Sequence, residues 1–286
     1  LGPVAPKAHD MVREYHVLHA VHLHFPQAPR VHVLCEDLAV LGAPFFIMER
    51  RRGVILREEI PAEFVAIDAH PRMIGEAFLD ALVSLHKVDV AAPGIRELGK
   101  PEGYVERQVR GWADRWERAK TADVSELDDV VRWLAANIPA PLAPSLIHND
   151  YKLDNIMLAS PDRVEAVLDW EMATLGDPLS DLGLALCYWV WATAEEVRAA
   201  GIPALTSRPR WYGRDALVDR YAQLTGRDVT RIGYYEVLGV FKLAVIIQQI
   251  YCRFHRGQTQ DERFRNFGER AAALGRLAAR LAERYS

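Results

Sequence analysis

The chain of 286 residues carries 35 Lys and Arg against 39 Asp and Glu, a formal charge of −4, and half of its residues are hydrophobic. That is long enough to bury a sizeable core in two lobes, and with no strong field of either sign it invites neither nucleic acid nor an anionic membrane. Three widely spaced cysteines, Cys35, Cys187 and Cys252, have apolar neighbours and read as free thiols of a reducing cytoplasm, not as disulfides.

The most apolar run, Val237 to Ile247, is interrupted by Lys242 and followed by Gln248-Gln249, which is too short and too polar for a bilayer span. No signal peptide is visible. The chain opens on Leu1, so the numbering is expected to begin inside a longer chain.

In chain order, residues 8 to 25 predict a helix, because Met11, Glu14, Leu18, Val21 and Phe25 recur on one face of a 3.6-residue period. Glu14 lies on that apolar face, where a carboxylate wants a partner. Six of the ten histidines fall in the first 32 residues, and His16, His19 and His22 share a face. No second cluster completes a tetrahedral metal set, so a solvated stripe is expected. Arg30 to Cys35 and Pro44 to Glu49 read as strands joined through a turn at Leu41-Gly42. Arg50, Arg51 and Arg52 read as a solvated linker, with contact to an anionic phosphate as the other reading.

From Gly53 onward the pattern turns helical. His70 to His86 carries one buried stripe, and helices are expected over 102–119 and 125–137, stopping before Pro139-Ala140-Pro141, where proline lacks the donor a helix needs. Then come Leu146-Ile147-His148-Asn149-Asp150-Tyr151-Lys152-Leu153-Asp154-Asn155 and, after a break, Val167-Leu168-Asp169-Trp170-Glu171. Apolar runs on either side of Ser160-Pro161-Asp162 predict a β-hairpin, with polar residues where its strands end. His148, Asp150 and Asn155 follow the pattern H-x-D-x-x-x-x-N, with Asp169 fourteen residues further on.

Those residue types suit phosphoryl transfer, which asks a protein chiefly to orient the acceptor and neutralise phosphate charge with Mg²⁺. Asp150 is the carboxylate that accepts the hydroxyl proton. Asn155 and Asp169 supply hard oxygen ligands to the metal. Lys152 places a point charge on the γ-phosphate of ATP, and His148 completes the catalytic loop by packing beneath it.

The segments His148-Asn149-Asp150-Tyr151-Lys152-Leu153-Asp154-Asn155 and Leu168-Asp169-Trp170 resemble the catalytic and metal-binding segments of the aminoglycoside phosphotransferase family, a branch of the protein-kinase-like fold. The subgroup most similar is the kinase-like domain fused to acyl-CoA dehydrogenases. Ala8-His9-Asp10-Met11-Val12-Arg13-Glu14-Tyr15, Phe45-Phe46-Ile47-Met48-Glu49-Arg50 and Gly176-Asp177-Pro178-Leu179-Ser180-Asp181-Leu182-Gly183 extend the likeness over nearly the whole chain. It implies an α+β, bilobal fold with an incomplete N-terminal β lobe (1–49), a hinge (50–53) and a large, mainly helical C-terminal lobe (54–286).

The resemblance further implies that Glu14 pairs with a strand lysine holding the α/β-phosphates, that adenine meets the backbone at Met48, Glu49 and Arg50, and that Asp181 braces the catalytic loop. Lys7 is poorly placed to be that lysine, and the nucleotide-covering hairpin and lysine strand are expected in an omitted segment. For Asp177 and Asp181 the residues alone suggest helix capping and a favourable dipole.

Only eleven residues separate Asp169 from Asp181, too few for a peptide-docking activation loop, so the acceptor should be a small molecule. C-terminal helices are expected at 178–191, 194–200, 213–225, 231–256 and 260–284, with aromatics such as Trp189, Trp191 and Tyr251 that are core residues or line an acceptor pocket. Arg253, Arg256, Arg263 and Arg265 argue against a polycationic aminoglycoside, leaving a hydroxylated acyl thioester or another neutral or anionic metabolite. The alternatives are a catalytically inactive kinase-like module that binds nucleotide or a partner, and a two-metal phosphohydrolase, which needs more His and Asp ligands nearby. No G-x-S-x-G occurs, which excludes a nucleophile-elbow serine hydrolase.

Overall fold

The computed structural model describes residues 10–121, 124–189, 205–208 and 210–285. Helix α1 runs Met11–Val21, beginning where its apolar stripe begins and ending before Phe25, while residues 8 and 9 of the expected span lie outside the described residues. Asp10 starts it by accepting the Arg13 N–H at 3.0 Å. At the far end the His22 ring lies 2.8 Å from the Ala28 carbonyl oxygen and closes a turn, so Phe25 reaches the core from outside the helix. His19 stacks against Tyr15. Among the described residues no group of His, Cys, Asp and Glu is placed to hold a metal; His9 and Lys7 lie outside them.

Strands β1 (Val31–Cys35) and β2 (Phe45–Met48) pair antiparallel, with Val31 opposite Met48 and Cys35 opposite Phe45. What read as a turn between them holds a short helix, α2 (Leu38–Leu41), stopped by Gly42 at φ 78°. That left-handed conformation favours a residue without a Cβ. The cross-strand pair Val33 and Ile47 is exposed on one face of this small sheet, and Met48 is also exposed.

Strand β3 (Val54–Ile55) and the short α3 (Ala62–Val65) lead to α4 (His70–His86), which matches its predicted span and buries Ile74, Phe78, Leu82 and Leu85. Helices α5 (Tyr104–Ala119) and α6 (Ser125–Ala136) follow, joined by the Trp116 indole N–H donating to Asp128 at 2.7 Å. Helix α7 (Leu179–Tyr188) packs on α9 (Ile232–His255), with α8 (Arg214–Thr225) between them in sequence and α10 (Phe267–Arg284) last. The last helix starts later than expected because Asp261 caps a separate short turn, Glu262–Phe264. The segment 194–200 and Trp191 lie outside the described residues.

By length and composition α9 is apolar enough to cross a membrane, which its central eleven-residue run did not suggest. Its packing supplies another reason for that apolarity, since Val237, Phe241, Ala244 and Val245 are buried among α5, α7 and α10. Gly183 lets α7 and α9 approach: a Cβ there would lie 2.6 Å from the Tyr235 backbone.

Four short strands set the centre. β4 (Ser145–Ile147) pairs antiparallel with β7 (Thr174–Gly176), and β5 (Ile156–Ser160) pairs with β6 (Arg163–Val167), the expected hairpin, with β3 on its other edge. The loop 148–155 therefore leaves β4 and enters β5, while the loop 168–173 leaves β6 and enters β7. Ladders hold both ends of both loops, so the two must run side by side.

Candidate active site

Hydrogen bonds stitch the two loops together. The Leu168 N–H donates to the Asn155 carbonyl at 2.8 Å, and the Asn149 side-chain amide donates to the Met172 carbonyl at 3.0 Å. The His148 ring is fully buried; its Nδ1 accepts the Asp150 N–H at 3.2 Å and its Nε2 faces the Leu168 carbonyl at 3.0 Å. Those partners require the neutral tautomer with the proton on Nε2. Burial pushes the His148 pKa down, against the pull of the Asp181 and Asp150 charges. As expected of a residue packed beneath the catalytic loop, His148 is buried and holds that loop by hydrogen bonds.

Asp150 and Asn155 meet directly. The Asn155 amide donates to the Asp150 carboxylate at 2.8 Å and to the Asp150 carbonyl at 2.9 Å, which leaves Asn155 Oδ1 as the atom free to meet a cation. Asp169 sits at φ 68° with an exposed side chain that takes no hydrogen bond among the described residues. Asn149 is likewise at φ 66°. Left-handed conformations at non-glycine residues are held only where surroundings over-determine them, and at Asn149 the surroundings are Tyr104, whose hydroxyl donates to Asn149 Oδ1 at 2.5 Å, and Asp181.

Asp181 is completely buried and accepts the His148 N–H and the Asn149 N–H, both at 2.6 Å, with His86 Nε2 at 3.3 Å. Burial alone would raise its pKa; the His86 and His148 partners outweigh that and hold it below the usual carboxylate range. A favourable helix dipole alone does not describe a carboxylate so enclosed, and the bracing reading fits the contacts. Asp177 does cap α7, accepting the Leu179 N–H at 3.0 Å, and also takes the Tyr235 hydroxyl at 2.8 Å.

Other expected partners differ. Lys152 Nζ lies 2.9 and 2.7 Å from the two Asp150 oxygens, a partner that the expected contact with the γ-phosphate did not include. Glu14 accepts the Trp170 N–H at 3.2 Å, immediately after Asp169, a role that the strand-lysine expectation did not contain. Its neighbour Arg13, which had no assigned role, donates to the Glu171 and Ala173 carbonyls at 3.0 and 2.7 Å. Helix α1 thus clamps the loop that carries Asp169.

At the expected hinge, the Glu49 N–H is taken by the Arg30 carbonyl at 2.8 Å, so that donor does not face a nucleotide. Burial would raise the Glu49 pKa, but the Arg30 N–H and Arg51 hold it down. Arg51 is no solvated linker: it bonds Glu49 and the Pro26 carbonyl and reaches Glu165 at 3.5 Å. Met48 and Arg50 are exposed. Beside Lys152, a recess is floored by Phe78, Tyr188 and Trp189.

Two oxygen ligands, Asn155 Oδ1 and an Asp169 carboxylate, fit Mg²⁺ that completes its shell with phosphate and water. Among the described residues no group of three or more His, Cys, Asp or Glu is placed to hold a metal, whereas a two-metal phosphohydrolase needs such ligands.

Comparison with known proteins places the chain in a family. The model of the phosphotransferase enzyme family matches residues 1–214. Acyl-CoA dehydrogenase family member 11 of Gallus gallus is 30% identical over 293 residues, covering 100% of this chain and 37% of that protein. Acyl-CoA dehydrogenase family member 10 of Mus musculus is 28% identical, over 97% of this chain and 26% of its own length. The chain thus spans about a third or less of these relatives. Among solved structures, "a putative aminoglycoside phosphotransferase" from Ralstonia eutropha superposes with a TM-score of 0.83 at 30% identity, covering 96% of this chain and 83% of that one. A thermostable mutant of aminoglycoside phosphotransferase APH(4)-Ia, in ternary complex with AMP-PNP and hygromycin B, has a TM-score of 0.59 at 17% identity over 94% and 82% of the two chains, a likeness of fold. On this evidence the chain belongs to the phosphotransferase enzyme family, with the expected α+β kinase-like fold and a likeness to part of the acyl-CoA dehydrogenase family members 10 and 11.

Proposed function

We propose that this chain transfers the γ-phosphoryl group of ATP, with Mg²⁺, to a hydroxyl of a small molecule. What carries the reading is the convergence of Asp150, Asn155 and Asp169 on two loops held side by side at both ends. Asp150 takes the hydroxyl proton as the acceptor attacks, a step in which a positioned carboxylate contributes on the order of 10²–10⁴ in rate. Asn155 holds that carboxylate by its amide, and its oxygen together with the Asp169 carboxylate would hold the metal. Bound Mg²⁺ neutralises the phosphate charge.

Lys152 holds Asp150 in place and lies next to where the γ-phosphate would arrive. The Met48 to Arg50 edge is the proposed adenine contact, through groups other than the Glu49 N–H. The AMP-PNP named for a structural neighbour supports a nucleotide as donor. Three free thiols support a cytoplasmic setting.

The test is ATP consumption by the full-length protein against a panel of metabolite hydroxyls, run beside Asp150→Ala. Turnover lost in the variant, with its melting temperature kept, supports the assignment. Equal turnover in both defeats it, and no turnover with any acceptor favours an inactive nucleotide-binding module.

A further inference from the structure

Two cations in the helical region share one aromatic ring. Lys242, in the middle of α9, is only 7% exposed, and its ammonium lies 5.6 Å from the centre of the Trp112 ring on α5. Arg115, three residues beyond Trp112, places its guanidinium 4.4 Å from the same ring. Among the described residues neither forms an ion pair or a hydrogen bond. A buried ammonium is ordinarily paired with a carboxylate, and an indole face only partly replaces one.

The surroundings sharpen the imbalance. Burial pushes the Lys242 pKa down, and the Arg115 charge acts in the same direction, while the Asp181 and Asp150 charges oppose it. Arg115 is lowered by burial and by neighbouring Arg118. The Asp181 and Asp150 charges thus act on Lys242 against that of Arg115, while among the described residues no carboxylate bonds either cation directly. There is also room. Gly111, one turn before Arg115 on the same face of α5, has nothing within 4 Å of where a Cβ would stand. Ile246, one turn after Lys242 on α9, is 40% exposed. A glycine inside a helix is unfavourable, and Gly111 leaves the surface of α5 open one turn before Arg115.

We propose that Lys242 and Arg115, carried by Trp112, recognise an anionic group, carboxylate or phosphate, on the acceptor whose hydroxyl is presented to Asp150. The acceptor half of this statement rests on the reading of Asp150 given above; the anion site does not. An anion between the two cations relieves their repulsion and stabilises the charged form of Lys242. A polycationic acceptor meets repulsion at the same place. The site thus selects an acidic hydroxyl compound against an amino sugar.

The test compares the wild type with Lys242→Met and Arg115→Gln. Thermal melts are run in inorganic phosphate and in acetate, each matched in ionic strength with sodium chloride. The wild type should melt higher as phosphate or acetate is raised, saturably, and the anion that does so tells phosphate from carboxylate. Both variants should need at least tenfold more of that anion for the same rise. Lys242→Met removes a buried charge that has no partner, so in chloride it should melt no lower than the wild type; Arg115→Gln, on a half-buried side chain, is the second variant.

A wild type indifferent to both anions overturns the proposal, and so does an equal rise in all three proteins. Titration with Mg-ATP separates the two readings. Unchanged nucleotide affinity in the variants, together with a lost anion response, supports the proposal, whereas nucleotide affinity lost with the anion response reassigns the cations to the nucleotide and overturns it. An anion response lost in the variants, when none of the three proteins binds Mg-ATP, retains the anion site and defeats the kinase reading.

Discussion

The Asp181 carboxylate accepts the His148 backbone N–H at 2.6 Å from a position with no solvent exposure, and it is the point at which α7 fixes the loop that carries Asp150. Its second oxygen takes the Asn149 N–H at the same distance. Replacing the carboxylate by an amide puts a donor against donors in a closed space. Asp181→Asn should therefore cost about 2–4 kcal/mol of stability, the range for a buried charged group losing its partner. Urea denaturation at neutral pH measures it, and a cost below about 0.5 kcal/mol, the size of an ordinary surface change, would contradict the bracing role.

The same pair predicts how stability follows pH. His148 is depressed below its ordinary 6.5 by burial, so the unfolded chain takes up that proton first. Its contribution is full above pH 6.5 and is lost as pH falls through the lower folded value. Asp181, held below its ordinary 3.8 despite burial, adds a second loss in the acid range beneath that value. Urea midpoints taken from pH 8 to 3 should be level above about 6.5 and fall below it. A His148→Gln protein should lack the first fall; if it keeps the full slope, other groups carry the dependence.

Asp169 has an exposed carboxylate and no internal hydrogen bond among the described residues, so its removal should leave the fold nearly untouched. Asp169→Ala should weaken ATP binding at least tenfold in the presence of Mg²⁺, about 1.4 kcal/mol. Without the metal the two proteins should bind ATP alike. Calorimetric titration with and without EDTA checks this, and an unaltered Mg²⁺-dependent affinity would remove Asp169 from the metal site.

Glu14 and Arg13 offer a test of the clamp that α1 places on the Asp169 loop. Glu14→Gln keeps an oxygen for the Trp170 N–H, whereas Glu14→Ala does not. The alanine protein should lose about 1 kcal/mol and show faster amide hydrogen exchange at 170–173, with the glutamine protein close to wild type. Arg13→Ala, which frees two carbonyls, should behave like Glu14→Ala. Equal damage from Gln and Ala would mean that the charge of Glu14, not its bond to Trp170, is what matters.

At Gly183 the contact is steric. An added Cβ would stand 2.6 Å from the Tyr235 backbone, which has no flexible end to yield, so α7 must move away from α9. Gly183→Ala should destabilise by about 1–3 kcal/mol, and because α7 carries Asp181 it should also disturb the catalytic loop. A melting temperature equal to that of the wild type would show that these helices are less tightly joined.

Much of this protein could be read along the chain. The period of α4, the hairpin about Ser160-Pro161-Asp162, and the spacing of His148, Asp150, Asn155 and Asp169 are local properties, each decided by side-chain periodicity and turn chemistry within a few residues. Helix ends were less legible. Phe25 continues the apolar stripe of α1 yet reaches the core after the helix has ended, because a turn tied by His22 also brings it inward.

Tertiary structure alone decided the partners. The Trp170 N–H that Glu14 accepts is 156 positions away, and the choice between helix capping and loop bracing for Asp181 depends on burial that its own segment does not reveal. Lys152 is two residues from Asp150, and even that pairing needs the fold of the loop to bring amine and carboxylate together. Lys242 looked like an interruption in an apolar run; only the packing of α9 against α5 sets it against Trp112 beside Arg115. Residue type and spacing select which chemistry a chain can perform, whereas desolvation and charge pairing, which set what each group does, arise only when distant segments exclude water together.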